Sequence, residues 1–120
     1  MIRIYAWRRE EGMEVLAQGH AGYAAAGQDI VCAGVSALLY GFKSYLEAQS
    51  LLCKGSHVDC AEWDGGLRLR SRGFAHTDKQ AWGVIREGIS LLSRAYPQYV
   101  YWEEDCSEEE YPWRMKTEKS

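Results

Sequence analysis

The hydrophobic pattern of the chain changes twice from a repeat of two residues to a helical repeat, and this limits the fold more than any other feature. Residues 2–7 alternate, with Ile2, Ile4 and Ala6 on one side, and residues 13–19 alternate again after a polar turn. Alternation is typical of half-buried strands, and two such runs joined by a short turn predict an antiparallel hairpin.

The next periodic segment is helical. Apolar residues recur at helical spacing from Val31 to Leu46, which predicts an amphipathic helix of about five turns. Asp29 precedes this segment, and an aspartate at that position is a good N-cap. We therefore expect its carboxylate to accept the backbone N–H of the third helical residue, Cys32.

A second hairpin is predicted between two further runs. His57–Trp63 and Leu67–Gly73 flank the Asp-Gly-Gly sequence of residues 64–66, whose residues tolerate the positive φ of a tight turn. Leu67 and Leu69 fall on one side of the second strand and the arginines at positions 68, 70 and 72 on the other. One face of this hairpin is therefore expected to be solvated.

A second helix and a last strand complete the pattern. Thr77 or Asp78 is a candidate N-cap, and Pro97 ends the helix. Residues 99–102 read as a short strand. The apolar stripe of this helix consists of Trp82, Ile85, Ile89, Leu92 and Tyr96.

The predicted order is therefore ββαββαβ, an α+β domain with a mostly antiparallel sheet and two helices packed on one face. At 120 residues the chain supports one small core. We assign residues 1–103 to this domain and residues 104–120 to an acidic, mobile C-terminal tail. Tyr111 and Trp113 of the tail are candidates for docking on the domain or on a partner chain.

The composition is that of a soluble globular protein, and we expect a cytoplasmic location. No apolar run approaches the roughly 18 residues of a membrane span, and the N-terminus lacks the features of a signal peptide. The 4 cysteines contain no Cys-x-x-Cys pair, so neither a disulfide framework nor a zinc site is predicted. We expect no metal and no other cofactor.

The charge is divided between the domain and its tail. Residues 103–120 hold 7 acids and 3 bases, a net −4, and the other residues hold 10 acids and 11 bases, a net +1. A nearly neutral domain gives no support for direct nucleic-acid binding. We interpret the arginines of the second hairpin first as a solvated strand face. Contact with RNA or with an acidic segment of a partner is the alternative.

Cys32 is the candidate nucleophile. Free N–H groups and the positive end of the helix dipole stabilise an anion in the first helical turn, and the same N–H groups are candidate oxyanion donors. His20 ends the preceding strand, and the small-residue loop between the two is long enough to fold back and cover a substrate. A cysteine and a histidine are the minimum for nucleophilic cleavage of an amide.

Other roles for Cys32 stay open on these grounds. Cysteine is among the most buried residue types, so a cysteine on an apolar helix is usually a packing residue. In that case the chain is a non-catalytic module that binds a peptide or another protein. A redox-sensing thiol requires a nearby resolving cysteine, and none is close in sequence.

The sequence around Cys32 resembles the ribosomal-processing cysteine protease family Prp. The resemblance rests on Gly19-His20-Ala21, on Gly27, and on the run from Asp29 to Leu38, DIVCAGVSAL. A second stretch, YPQYV at residues 96–100, resembles the C-terminal motif of the family. The small α+β fold of the family agrees with the predicted order of elements.

The resemblance implies an activity and a set of site residues. Family members remove an N-terminal extension, rich in apolar and aromatic residues, from large-subunit ribosomal protein twenty-seven, and they are commonly homodimers. By matching positions, Cys32 is the nucleophile and His20 the general base, whereas Asp29 and Ser36 are supporting residues. Gly19, Ala21 and Gly27 match the substrate loop.

Overall fold

The structure, a computed structural model, describes residues 1–25 and 29–106. Its elements follow the predicted order and confirm the α+β class. Neither helix of this part is long and apolar enough to span a membrane. In chain order the elements are β1 (Ile2–Arg8), β2 (Gly12–Gln18), α1 (Ile30–Ser50), β3 (His57–Trp63), β4 (Gly66–Arg72), α2 (Thr77–Ala95) and β5 (Val100–Glu104).

The strands form one sheet in the order β3-β4-β2-β1-β5. Both predicted hairpins are present, β2 joins them by pairing with β4, and all three of these pairs are antiparallel. The exception is β5, which runs parallel to β1 with Val100 opposite Ile2. The N-terminal strand therefore lies inside the sheet, between β2 and β5.

Both helices pack on one face of the sheet. Ile4 and Val15 from that face are fully buried beneath the helices, together with Phe42 of α1 and Trp82 of α2. The rings of Phe42 and Trp82 meet edge to face, with centroids 5.7 Å apart. The predicted helical stripes form this core, except that Tyr45 is 46% exposed.

The start of α2 differs from the prediction. His76 is the N-cap and makes no side-chain cap bond, so neither Thr77 nor Asp78 caps the helix. Instead the hydroxyl of Ser71 donates a hydrogen bond to the buried carboxylate of Asp78 at 2.7 Å. The same hydroxyl accepts a hydrogen bond from the backbone N–H of Met13 at 3.0 Å. The aspartate ties α2 to two strands, a role that local sequence does not distinguish from capping.

Both ends of β4 and of β5 also differ by one or two residues from the prediction. The strand predicted at Leu67–Gly73 is Gly66–Arg72, and the strand predicted at residues 99–102 is Val100–Glu104. Pairing with β1 extends the last strand, because Glu104 still lies opposite Ala6. Most of the predicted acidic tail, residues 107–120, is outside the described residues.

The face of the sheet away from the helices, here called the outer face, has an apolar cluster of its own. Tyr5, Trp7 and Leu16 are buried there, with Trp63 and Cys106 packed against them. The rings of Tyr5 and Trp7 are stacked at a centroid distance of 6.1 Å. The sheet therefore buries apolar side chains on both faces.

Candidate active site

Asp29 fixes the start of α1, as predicted. One carboxylate oxygen accepts the N–H groups of Val31 at 3.0 Å and Cys32 at 2.9 Å. The other accepts the N–H of Tyr23 at 3.2 Å, so the side chain holds both the helix and the loop before it. The bond from the Cys32 N–H is the largest of the effects that lower the pKa of Asp29.

Cys32 is the third residue of α1 and lies half-buried at the edge of the core. Its sulfur accepts a hydrogen bond from the backbone N–H of Ala21 at 3.4 Å. Ala21 is 3% exposed, so the donor is held in place by packing. A backbone donor directed at the sulfur favours negative charge on that atom.

His20 is exposed and follows a backbone turn that requires glycine. Gly19 has φ 101°, and a Cβ there would lie 2.2 Å from the carbonyl oxygen of Met1. The N–H of Gly19 donates to the carbonyl of Gly65 at 2.8 Å, and the N-terminal ammonium of Met1 donates to the carbonyl of His20 at 2.7 Å. A Cβ on Gly65 would lie 3.0 Å from Nε2 of His20, so the imidazole lies against the turn of the second hairpin.

Two cavities meet at these residues, and His20, Cys32 and Ser36 line both of them. One has a volume of about 310 Å³, and its further lining includes the large side chains of Leu39, Tyr40, Trp63 and Leu67. The other has a volume of about 480 Å³, and its further lining consists of Gly22, Ala24, Asp29 and Ala33. The sulfur thus lies between an apolar, aromatic cavity and one lined mostly by small residues.

The described site residues lie around the same two cavities, but hydrogen bonds do not join all of them. Within the described residues no hydrogen bond joins the imidazole of His20 to the thiol of Cys32, and Ser36 makes none to the sulfur. Asp29 contacts the loop backbone and not the imidazole. Gly27 lies outside the described residues.

Three of the first four N–H groups of α1, the candidate oxyanion donors, hydrogen-bond to Asp29. The N–H groups of Val31 and Cys32 donate to the Asp29 carboxylate, and that of Ala33 donates to the Asp29 carbonyl at 3.1 Å. A side-chain cap satisfies the same orphan groups that an oxyanion needs. The choice of Asp29 as cap therefore removes these donors from the reaction centre.

Tyr23 anchors the loop, a role that local sequence does not predict. Its ring meets the rings of Tyr96 and Tyr99 edge to face, with a centroid distance of 5.4 Å in each pair. Two tyrosines of the YPQYV stretch therefore pack directly against the loop of the site. The signal in the sequence was the presence of two tyrosines around Pro97, but only the tertiary structure shows their partner.

Trp63 is the second residue that sequence reasoning missed. It ends β3 opposite Gly66 and lines the apolar cavity. A Cβ on Gly66 would lie 2.0 Å from Nε1 of this indole, so the glycine makes room for the ring. The sequence predicts Trp63 as the end of a strand and residues 64–66 as a turn, but not that the ring of Trp63 forms an aromatic wall of the site.

Comparisons with known proteins agree with the fold and identify the family. The sequence profile of the family described as cysteine protease Prp matches residues 1–101. A curated relative, the ribosomal processing cysteine protease Prp of Mycoplasma pneumoniae, is 31% identical over 98 residues, which cover 80% of this chain and 91% of the relative.

Two crystal structures of an essential ribosomal processing protease Prp from S. aureus have a similar fold. The complex with a covalently linked product peptide gives a TM-score of 0.72 at 21% identity. The complex with a substrate peptide gives a TM-score of 0.67 at 22% identity. Each match covers 88% of this chain and 100% of the other chain.

Proposed function

The chain belongs to the Prp family of cysteine proteases, and from this premise we propose that it removes the N-terminal extension of large-subunit ribosomal protein twenty-seven. Cys32 is the nucleophile and His20 the general base in this proposal. The single observation that supports it best is that these two side chains line both cavities at the point where the cavities meet. A peptide that occupies both cavities passes over the sulfur.

The proposed reaction proceeds through an acyl-enzyme. His20 takes the proton of the Cys32 thiol, and the sulfur attacks the scissile carbonyl carbon. The imidazolium then gives its proton to the leaving amine as the C–N bond breaks and a thioester remains. Water, deprotonated by His20, attacks the thioester and releases the new C-terminus, and the proton returns to the sulfur.

The other site residues support this pair. The Ala21 N–H stabilises charge on the sulfur, and Asp29 holds the loop that carries His20 by its bonds to Tyr23 and Cys32. Ser36 lines both cavities and is placed to hydrogen-bond a peptide that lies across them. These are positioning roles, because no proton or bond of the reaction passes through these side chains.

The shape of the cavities supports an apolar or aromatic residue before the scissile bond. Tyr40 and Trp63 line the smaller cavity, and burial of a large apolar side chain there contributes roughly 1.5–3 kcal/mol. The small residues around the other cavity leave room for backbone on the far side of the bond. The relatives named for ribosomal processing, and those crystallised with peptides, agree with a peptide substrate.

The remaining properties follow from the family resemblance. We propose a bacterial cytoplasmic enzyme that acts as a homodimer on newly made ribosomal protein. A non-catalytic binding module has no observation in its favour, because the family of the chain is one of proteases.

The test is mass spectrometry of the ribosomal protein after incubation with the chain. We expect one cleavage, after the apolar and aromatic run, that leaves the mature N-terminus. A ribosomal protein lacking the extension is the substrate control, and His20→Ala is expected to lose cleavage while its melting temperature stays unchanged. Binding of the extension without any cleavage by the parent chain would overturn the assignment.

A further inference from the structure

The outer face of the sheet carries more positive than negative charge along β4. Arg68, Arg70 and Arg72 alternate with buried leucines and project from this face. Glu14 is buried and lies opposite Arg70 in the sheet. Its carboxylate forms ion pairs with the guanidinium groups of Arg70 at 3.3 Å and Arg9 at 3.1 Å. Within the described residues, neither Arg68 nor Arg72 forms an ion pair.

The apolar cluster on the same face needs a covering layer. Tyr5, Trp7 and Leu16 are 7%, 3% and 0% exposed, although both helices pack on the opposite face. A sheet face that buries apolar side chains packs against another layer of chain. Among the described residues Trp63 and Cys106 pack against the cluster, and the ring of Tyr101 lies 6.1 Å from that of Tyr5. Cys106 is where the described chain ends.

The chain leaves β5 in the direction of this cluster. Asp105 has a positive φ of 52°, its N–H donates to the carbonyl of Ala6 at 2.8 Å, and its carboxylate binds the guanidinium of Arg8. The carbonyl of Cys106 then accepts the indole N–H of Trp7 at 3.0 Å. These bonds turn the backbone from the edge strand onto the outer face at Trp7.

The acidic run that follows is within reach of the arginines. Across the sheet from Trp7 the next residue is Glu14 and the one after it is Arg70. Neighbouring strands are about 4.8 Å apart, so Arg70 lies about 10 Å from Trp7, a distance that three extended residues span. Glu108–Glu110 are the second to fourth residues after Cys106, so the length of chain allows them to reach the arginines.

We propose that residues 107–113 dock on the outer face of their own chain. Glu108–Glu110 pair with the arginines of β4, and Tyr111 and Trp113 pack on the apolar cluster of Tyr5, Trp7 and Leu16. Charge complementarity, the apolar cluster and the direction of the chain at Cys106 all favour this occupant. The proposal is independent of the catalytic function, because its contacts do not include His20 or Cys32.

Carbodiimide crosslinking of the full chain carrying Arg72→Lys tests the pairing. The reagent joins an amine to a carboxylate in contact with it, so we expect a link between position 72 and one of Glu108–Glu110 in a product of monomer size. The full chain carrying Arg94→Lys, on α2, is the control and is expected to give no such link. Absence of the link at position 72, equal yield from the control, or a link only in a dimer-sized product overturns the proposal.

Hydrogen exchange of the full chain tests the charge dependence. We expect the amides of residues 107–113 to be protected in the parent chain and to lose that protection when Glu108–Glu110 are all replaced by glutamine, or when salt is raised. Glu118→Gln is the matched control and leaves the protection unchanged. Unprotected amides in the parent overturn the proposal, as does binding of a labelled single-stranded RNA that Arg72→Ala weakens.

Discussion

The backbone N–H of Ala21 donates to the sulfur of Cys32 at 3.4 Å, although 11 positions separate the two residues. This contact links the end of β2 to the first turn of α1. Because His20 directly precedes Ala21, the same contact holds the imidazole beside the same two cavities as the sulfur. The loop between them is therefore part of the candidate active site.

Replacement of Cys32 tests the nucleophile. Cys32→Ala is expected to reduce cleavage of the extension at least about a thousandfold, because the bond-forming atom is lost. The side chain is half-buried and small, so the far-ultraviolet circular dichroism should stay unchanged. Cys53→Ala, at another half-buried cysteine, is the control and should keep full activity. Cleavage by Cys32→Ala at the parent rate would show that another group attacks the peptide.

The rate of alkylation distinguishes the cysteines. Burial, followed by the hydrogen bond to Glu62, raises the pKa of the Cys60 thiol, and the thiolate is the form that reacts with iodoacetamide. We therefore expect Cys32, whose sulfur accepts a backbone N–H, to be labelled faster than Cys60 at neutral pH. Peptide mapping after short exposure measures both rates in one sample. Equal labelling would remove the argument that the site activates this thiol.

Substitution of Asp29 separates its charge from its role as a cap. Asp29→Ala removes the acceptor for Val31, Cys32 and Tyr23 and should lower the melting temperature by about 5 °C. Asp29→Asn keeps an oxygen acceptor and should therefore lower the melting temperature less. If the melting temperature fell further in Asp29→Asn than in Asp29→Ala, capping would not be the main contribution of Asp29 to stability.

The stabilising effect of Asp29 should also depend on pH. The folded chain lowers the pKa of this carboxyl below its ordinary 3.8, chiefly through the bond from the Cys32 N–H. The stabilisation is therefore fully present above the ordinary value and is lost as the pH falls through the lower folded pKa. Thermal melts of the parent and Asp29→Asn should converge on acidification, and a constant difference would rule out this linkage.

Gly66 tests the aromatic wall of the smaller cavity. A Cβ there would lie 2.0 Å from the indole nitrogen of Trp63, so Gly66→Ala must displace the ring. We expect a loss of about 2 kcal/mol in the free energy of unfolding, together with weaker cleavage of an aromatic extension. Gly41→Ala is the control, because a Cβ at that helical position meets nothing within 4 Å, and it should stabilise the chain by about 1 kcal/mol. Urea unfolding measures both.

Tyr23 tests whether loop anchoring affects catalysis. Tyr23→Ala removes two ring contacts, with Tyr96 and Tyr99, from a residue that is 42% exposed. We expect kcat/KM to fall about tenfold through misplacement of the loop, with little change in melting temperature. Tyr45→Ala, at a comparably exposed tyrosine of α1, should leave kcat/KM unchanged. A parallel loss in both variants would point to a general loss of stability.

Local features were determined by the sequence alone. The change of hydrophobic period placed every strand and helix, because a strand and a helix repeat at different intervals whatever surrounds them. The cap at Asp29 was equally predictable, since its partners lie two and three residues away. The motif around Cys32 and His20 identified the family, which the profile match then confirmed.

Long-range contacts were decided only by the tertiary structure. Three contacts join residues from separate elements. They are the pairing of β5 with β1, the bond from Ser71 that keeps Asp78 from capping, and the packing of Tyr23 on two distant tyrosines. Periodicity shows which side of an element is apolar but not which element covers it. The two cavities at Cys32 depend on such contacts, because their walls come from β3, β4, α1 and the loop together.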